Sequence, residues 1–247
     1  MRAALLCLVC LIQSLLIPVS AEELVLRAGV IETNIPPFVI RDANRHTVGG
    51  IDIELPRLVA QTMGKSADII FLSRKRLQLA LLDGSIDLVC GMDRRWLTEA
   101  GELIWSGPLY QSRDIVLSRN DQATLNSIND LRGSSIGTLT GYIYPNLQDE
   151  FLSGRLRRED SNSAPSLVNK LIAGRIHHII TTDIYLFYLL RQSTTPTQFN
   201  PQVLTIDSNK LECAAKPGQR LGAQEFHNAI DKLQQTKAIE KLLENYR

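Results

Sequence analysis

The chain has 247 residues, 44% of them hydrophobic, with 27 Lys+Arg against 26 Asp+Glu and a formal charge of +1 at pH 7. Acids and bases are interspersed, so no basic face is offered to nucleic acid and that class of function is set aside. The composition is that of a globular protein with enough apolar material for one large domain or two small ones.

Residues 1–21 read as a secretory signal peptide. Arg2 precedes an apolar stretch over 3–17 interrupted only by Gln13 and Ser14, and Val19 and Ala21 supply the small residues that a signal peptidase reads. Cleavage is expected after Ala21, with the mature chain free in the periplasm. The stretch is shorter than the roughly 20 apolar residues of a membrane span, and Cys7 and Cys10 within it lack the small residue that precedes a lipidated cysteine. Export leaves Cys90 and Cys213, which an oxidising compartment permits to pair; two separate buried thiols fit the sequence equally well.

Short apolar runs then alternate with helical patterns, the signature of parallel strands joined by helices. Residues 24–31 predict a strand. Leu55, Leu58, Val59 and Met63 recur at helical spacing up to Gly64, with Pro56 acceptable if it lies in the first turn. A strand follows at 67–71, a helix carrying Leu77, Ala80 and Leu81 up to Gly84, and a strand at 86–90. Residues 105–119 read as an extended crossing. Beyond it come a short helix at 128–131, a strand at 135–139, a helix after Gly141, another at 166–173 and a strand at 178–181. The run 211–215 leads into two amphipathic helices with Phe226, Ile230 and Leu233, then Ile239, Leu242, Leu243 and Tyr246. This order predicts an α/β protein of two lobes: 22–112 with 211–247 as the first, and 113–210 as the second. A ligand cleft is expected at the carboxyl ends of the strands, closed by a hinge.

The runs LRAGVIETNIPPF, GGIDIELPRLVAQTMG, LLDGSIDLVCGM, IWSGPLYQSRDIVL, INDLRGSSIGTLTGY and KLECAAKPG, in this order, resemble the family 3 extracellular solute-binding proteins. The resemblance covers essentially all of the mature chain. It implies the type II periplasmic-binding fold, a monomer, no cofactor, and service to an ABC permease of the polar amino-acid type. In that family an arginine clamps the amino acid's carboxylate and an aspartate takes its amino group. Here the arginine position holds Glu99, the aspartate position holds Thr182 with Asp183 one residue later, and Ile35 replaces the aromatic before Pro-Phe. These departures argue against an ordinary amino-acid ligand. Family topology also brings Cys90 and Cys213 toward one sheet.

Four arginines, Arg74, Arg76, Arg94 and Arg95, stand on loops that face the cleft in the family, and guanidinium groups bind carboxylate or phosphate in bidentate fashion. The stretch 137–142, GTLTGY, with Thr138, Thr140, Gly141 and Tyr142, is expected to run from a strand into a helix, where free N–H groups favour an anion. A small polar molecule, anionic or amino-acid-like, held between Arg74, Arg94 or Arg95 and this turn is therefore the expected ligand, the alternative being that each arginine is a solvated surface residue. Phe38 and Tyr110 can meet its apolar part or serve the core, and Glu32 can pair with a cationic group or an arginine. Asp93, Glu32 and Glu99 are the acids that an enzyme built on the same fold, such as a cyclohexadienyl dehydratase, would draw on. No matched acid and base pair marks one, so the protein is read as a non-enzyme, with a ligand sensor as the other alternative. His177 and His178 are adjacent on a strand, point to opposite faces and do not suit a metal.

Overall fold

A computed structural model describes residues 24–97, 101–192 and 198–246. The segment read as a signal peptide and Glu99 lie outside the described residues. The first lobe opens with β1 (Val25–Ile31), which pairs in parallel with β4 (Ser66–Leu72) from Val25 opposite Ser66 to Ile31 opposite Leu72. β5 (Leu88–Met92) lies on the other side of β1, also parallel. The crossovers are α1 (Ile51–Thr62) and α2 (Arg74–Leu82), and a hairpin of β2 (Ile40–Arg41) and β3 (Thr47–Gly49) precedes α1.

The start of α1 departs from expectation. The helix begins at Ile51, so Pro56 sits in its interior rather than in the first turn. Gly50 sets that start. It holds φ at 120°, and a Cβ there would fall 2.3 Å from the Phe38 carbonyl oxygen, so only glycine allows the chain to turn so tightly into the helix. At the other end Gly64, φ +69°, takes the left-handed conformation that stops helices.

β6 (Ile104–Trp105) leads to β7 (Tyr110–Ser118), the expected extended crossing. The second lobe holds β8 (Ser135–Leu139), α3 (Gln148–Leu152), β9 (Arg157–Ser161), α4 (Ala164–Ile172), β10 (His178–Thr182) and α5 (Asp183–Gln192). β11 (Leu204–Ala215) then returns as one strand of 12 residues. Its first part pairs antiparallel with β7, and its last part with β5 and β6. The strand order is therefore β4-β1-β5-β11-β7-β10-β8-β9. β7 and β11 together join the two halves of this curled sheet. α6 (Ala223–Gln235) and α7 (Ala238–Glu244) finish the chain and bury Phe226, Ile230, Leu233, Leu242 and Leu243 with Leu55 and Val59 of α1.

Both faces of each half-sheet are covered, which explains the continuous apolar runs. Adjacent residues on a strand point to opposite faces, so Leu88 and Val89 enter different cores, as do Val116 and Leu117, and Ile179 and Ile180. The cores also meet across the cleft. Ile184 of α5 is buried with Leu26 and Leu88 of the first lobe, and Ile35, from the loop after β1, packs against the core of the second.

Three elements differ from the sequence reading. The strand expected at 86–90 runs two residues later, because the Ile86 N–H still bonds back to the Ala80 carbonyl of α2 and the first bond to β1 is that from Asp87 N–H to the Arg27 carbonyl. β9, with the sequence RREDS, has no hydrophobic alternation; it is the edge strand, where charge costs little and discourages further pairing. The run after His178 continues as helix α5, which the apolar stretch did not disclose.

Candidate functional site

The parallel strands β1 and β5 end side by side at Ile31 and Met92, next to the first turn of α1, and this junction forms the first-lobe wall of the cleft. Asn34 Nδ2 donates to Asp52 Oδ2 at 2.6 Å. Gly91, φ +76°, passes so close that a Cβ on it would lie 2.9 Å from Asp52 Oδ1 and 3.3 Å from the Tyr110 hydroxyl. Asn34, Asp52, Leu77, Gly91 and Met92 help line an enclosed space of about 20 Å³, the size of a single water. Burial pushes the Asp52 carboxyl up to about 7, against the opposing pull of the Asn34 amide and the Arg74 charge. Arg41 steadies this loop by donating to the carbonyls of Asn34, at 3.0 Å, and Glu32, at 2.9 Å.

Arg74 is the first residue of α2 and is exposed. Its Cζ lies 5.8 Å from the ring centre of Trp96 in the first lobe and 4.8 Å from that of Tyr142 in the second. The guanidinium thus spans the cleft between two rings. Among the described residues it forms no ion pair. Arg76, on the same helix, is also exposed.

Arg94 and Arg95, expected at the ligand, are both paired with acids in the structure. Asp93 opens a short 3₁₀ turn over Arg94–Trp96 that lies against β11. Arg94 reaches Glu212 Oε2 at 3.0 Å and stacks 5.0 Å over Trp105. Arg95 donates to Asp93 at 2.9 Å, Asn209 at 3.0 Å and Asp207 at 3.3 Å. Asp93 also accepts from the backbone N–H groups of Arg95 and Lys210. Burial alone would push its carboxyl up, but the Arg95 guanidinium and the two N–H groups hold it below the usual range. Asp93 and Arg95 therefore brace the crossing strand. The sequence shows Asp93 beside Arg95 but hides the links to β11, because Asp207, Asn209 and Lys210 stand more than 100 positions away.

The second-lobe residues fall into the same two groups. Thr138 is fully buried and donates to Asp160 Oδ1 at 2.6 Å, and the exposed Thr140 hydroxyl lies 3.1 Å from Asn162 Oδ1. Gly141, φ +78°, turns the chain, but no helix starts there. A 3₁₀ turn begins only at Pro145, so the expected helix terminus is displaced from the GTLTGY stretch. Tyr142 of this stretch meets Arg74 of the first lobe. Thr182 accepts from the Tyr185 N–H at 3.1 Å and caps α5, while Asp183 is held by the backbone N–H and Nε of Arg113, each at 2.9 Å. Phe38 packs on the first-lobe core and Tyr110 is buried within it. Glu32 is exposed at the mouth.

The structure thus brings Arg74 and Tyr142 to the cleft, buries Tyr110 in the first-lobe core beneath it, and pairs Asp93, Arg94, Arg95, Thr182 and Asp183 with groups of the crossing strands and α5. Asn34, Asp52 and Trp96 were missed by the sequence reading. Asp52 had a signal, an acid between Ile51 and Ile53, and Trp96 directly follows the two arginines. A broader open concavity of about 540 Å³ lies over α4, lined by Ser163, Pro165, Asn169, Lys170 and Arg175, and contains none of the expected site residues. Cys90 of β5 and Cys213 of β11 stand opposite each other in the ladder and are bridged.

Two half-sheets joined by two strands, with polar and aromatic side chains facing each other across the gap, define a two-lobed binding protein of the type II periplasmic class. The chain belongs to the bacterial extracellular solute-binding proteins, family 3, whose profile matches residues 26–247. No curated protein matches it. Among solved structures it is similar to an ancestral arginine-binding protein bound to arginine, with TM-score 0.70 and 17% identity over 91% of this chain and 98% of that one. It is also similar to the substrate-binding protein of an amino acid ABC transporter, with TM-score 0.68 and 22% identity over 90% and 98%. A histidine kinase sensor domain with similarity to periplasmic binding proteins gives TM-score 0.67 and 18% identity over 91% and 96%.

Proposed function

We propose that this protein captures a small anionic molecule between its lobes in the periplasm, presents it to an ABC permease and releases it unchanged. The observation that carries the anionic ligand is Arg74. Its guanidinium lies over the rings of both Trp96 and Tyr142, and it pairs with no carboxylate among the described residues. Rings pack against the faces of a guanidinium and leave its in-plane donors for a carboxylate or phosphate. Because one ring comes from each lobe, an anion on Arg74 would favour the closed state. The lobes in this reading are 22–112 with 211–247, and 113–210, following cleavage after Ala21.

A thermal-shift screen across amino acids, dicarboxylates, phosphorylated metabolites and polyamines tests the ligand class. Anions are expected to raise the melting temperature, and Arg74→Ala to abolish the rise. Stabilisation by polyamines alone, or anion binding unchanged in Arg74→Ala, overturns the proposal. Incubation with prephenate and arogenate tests the absence of turnover, since product formation would place the protein among the enzymes of this fold. Likeness to a sensor domain supports a second role, reporting the ligand to a membrane receptor. The same closing cleft serves either role, and co-purification with a permease or with a receptor kinase separates them.

A further inference from the structure

We infer that the ligand of the Arg74 site is a planar, conjugated carboxylate, an aromatic acid rather than an aliphatic one. The inference rests on the anionic reading of Arg74 and adds the shape and electronic character of the rest of the molecule. Trp96 is 40% exposed and belongs to none of the apolar cores of the described residues, although it sits in a rigid 3₁₀ turn pinned to β11 through Asp93 and Arg95. An exposed indole on a fixed support, beside an arginine with open donors, is a ready stacking platform. Tyr142 supplies a second π face from the opposite lobe, half-buried against the second-lobe core through its ring and so equally fixed. Ile143, 76% exposed, adds apolar surface next to it at the mouth.

The chemistry of the three groups converges. A carboxylate on the Arg74 fork lies in the plane of the guanidinium, and conjugation keeps an aromatic acid's ring in that plane too. The ligand ring then extends outward from the guanidinium fork along the exposed remainder of the Trp96 indole, where it stacks offset. An aliphatic acid of the same volume is puckered and gains the carboxylate contact without the stacking. A ligand ammonium is disfavoured because the Arg74 cation already lies over both rings and repels a second positive charge.

Isothermal titration with benzoate, cyclohexanecarboxylate, succinate and phosphate tests this. The first two share one charge and similar size and differ in planarity. Benzoate is expected to bind about tenfold tighter than cyclohexanecarboxylate, a preference lost in Trp96→Ala and kept in Trp96→Phe. Thermal melts of each variant check that it folds. Equal or weaker binding of benzoate, with every anion still dependent on Arg74, overturns the aromatic ligand while the anionic reading stands. Binding of no anion by the wild-type protein, or binding indifferent to Arg74→Ala, removes both.

Discussion

Asp52 shows how a single carboxyl changes character when the fold closes around it. In the unfolded chain it is an ordinary acid, with a value near 3.8; in the fold, burial raises it to about 7. The native state therefore holds a proton that the unfolded state releases, so Asp52's contribution favours folding below about pH 4 and is lost as pH rises toward 7. Asp114, raised to about 6 chiefly by burial near the hinge, acts in the same direction, so the comparison must isolate Asp52. Melting temperatures of wild type and Asp52→Asn from pH 4 to pH 8 do so: the variant is expected to gain on wild type across this range. Parallel curves would show that Asp52 stays ionised beside Asn34, Tyr110 and Arg74. Arg94 and Arg95 teach the complementary lesson. Their charge and position near the cleft are legible in the sequence, but their partners Glu212, Asp207 and Asn209 come from a strand that only the fold brings alongside.

At the scale of elements, β11 carries the architecture. Its 12 residues pair first with β7 and then with β5, so one continuous strand serves both halves of the sheet. The Cys90–Cys213 bridge ties that strand to β5 where it enters the first lobe and closes a loop of 123 residues. In the chain-entropy model such a closure stabilises by up to roughly 4–5 kcal/mol. The double variant Cys90→Ser, Cys213→Ser is accordingly expected to unfold at much lower urea than wild type, and reduction of the wild type to bring it to the same midpoint. Two alkylated thiols in non-reduced protein by intact-mass measurement would show that the bridge is absent. Helices α1, α6 and α7 follow from their spacing of apolar residues, since a helix that covers a sheet must present one buried stripe. β9 could not be read this way, because an edge strand of charged residues buries too little to leave a period.

For the whole molecule the decisive contacts are those between lobes. Ile35 packs on the second-lobe core, Ile184 on the first, and Arg74 reaches Tyr142. Of these the Arg74–Tyr142 contact lies at the cleft mouth, so it should bias the closed state most. Tyr142→Ala is expected to enlarge the radius of gyration in small-angle scattering without ligand and to weaken anion binding, with little change in melting temperature. An unchanged radius would place the closing force in Ile35 and Ile184 instead.

The alternation of apolar runs and helical stripes along the chain was sufficient for the α/β class, because burial on both sheet faces and on one helix face writes a period into the sequence, while the family followed from the resemblance of runs such as GGIDIELPRLVAQTMG and LLDGSIDLVCGM. Glycine at 50 and 64 and the apolar run leading to Cys213 likewise act locally. Which arginine faces the cleft was decided elsewhere. Arg74, Arg94 and Arg95 carry the same charge; Asp93 pairs locally with Arg95, but only the antiparallel return of β11 past β5 and β7 brings Glu212 to Arg94 and Asp207 to Arg95, while Arg74 lies over two rings.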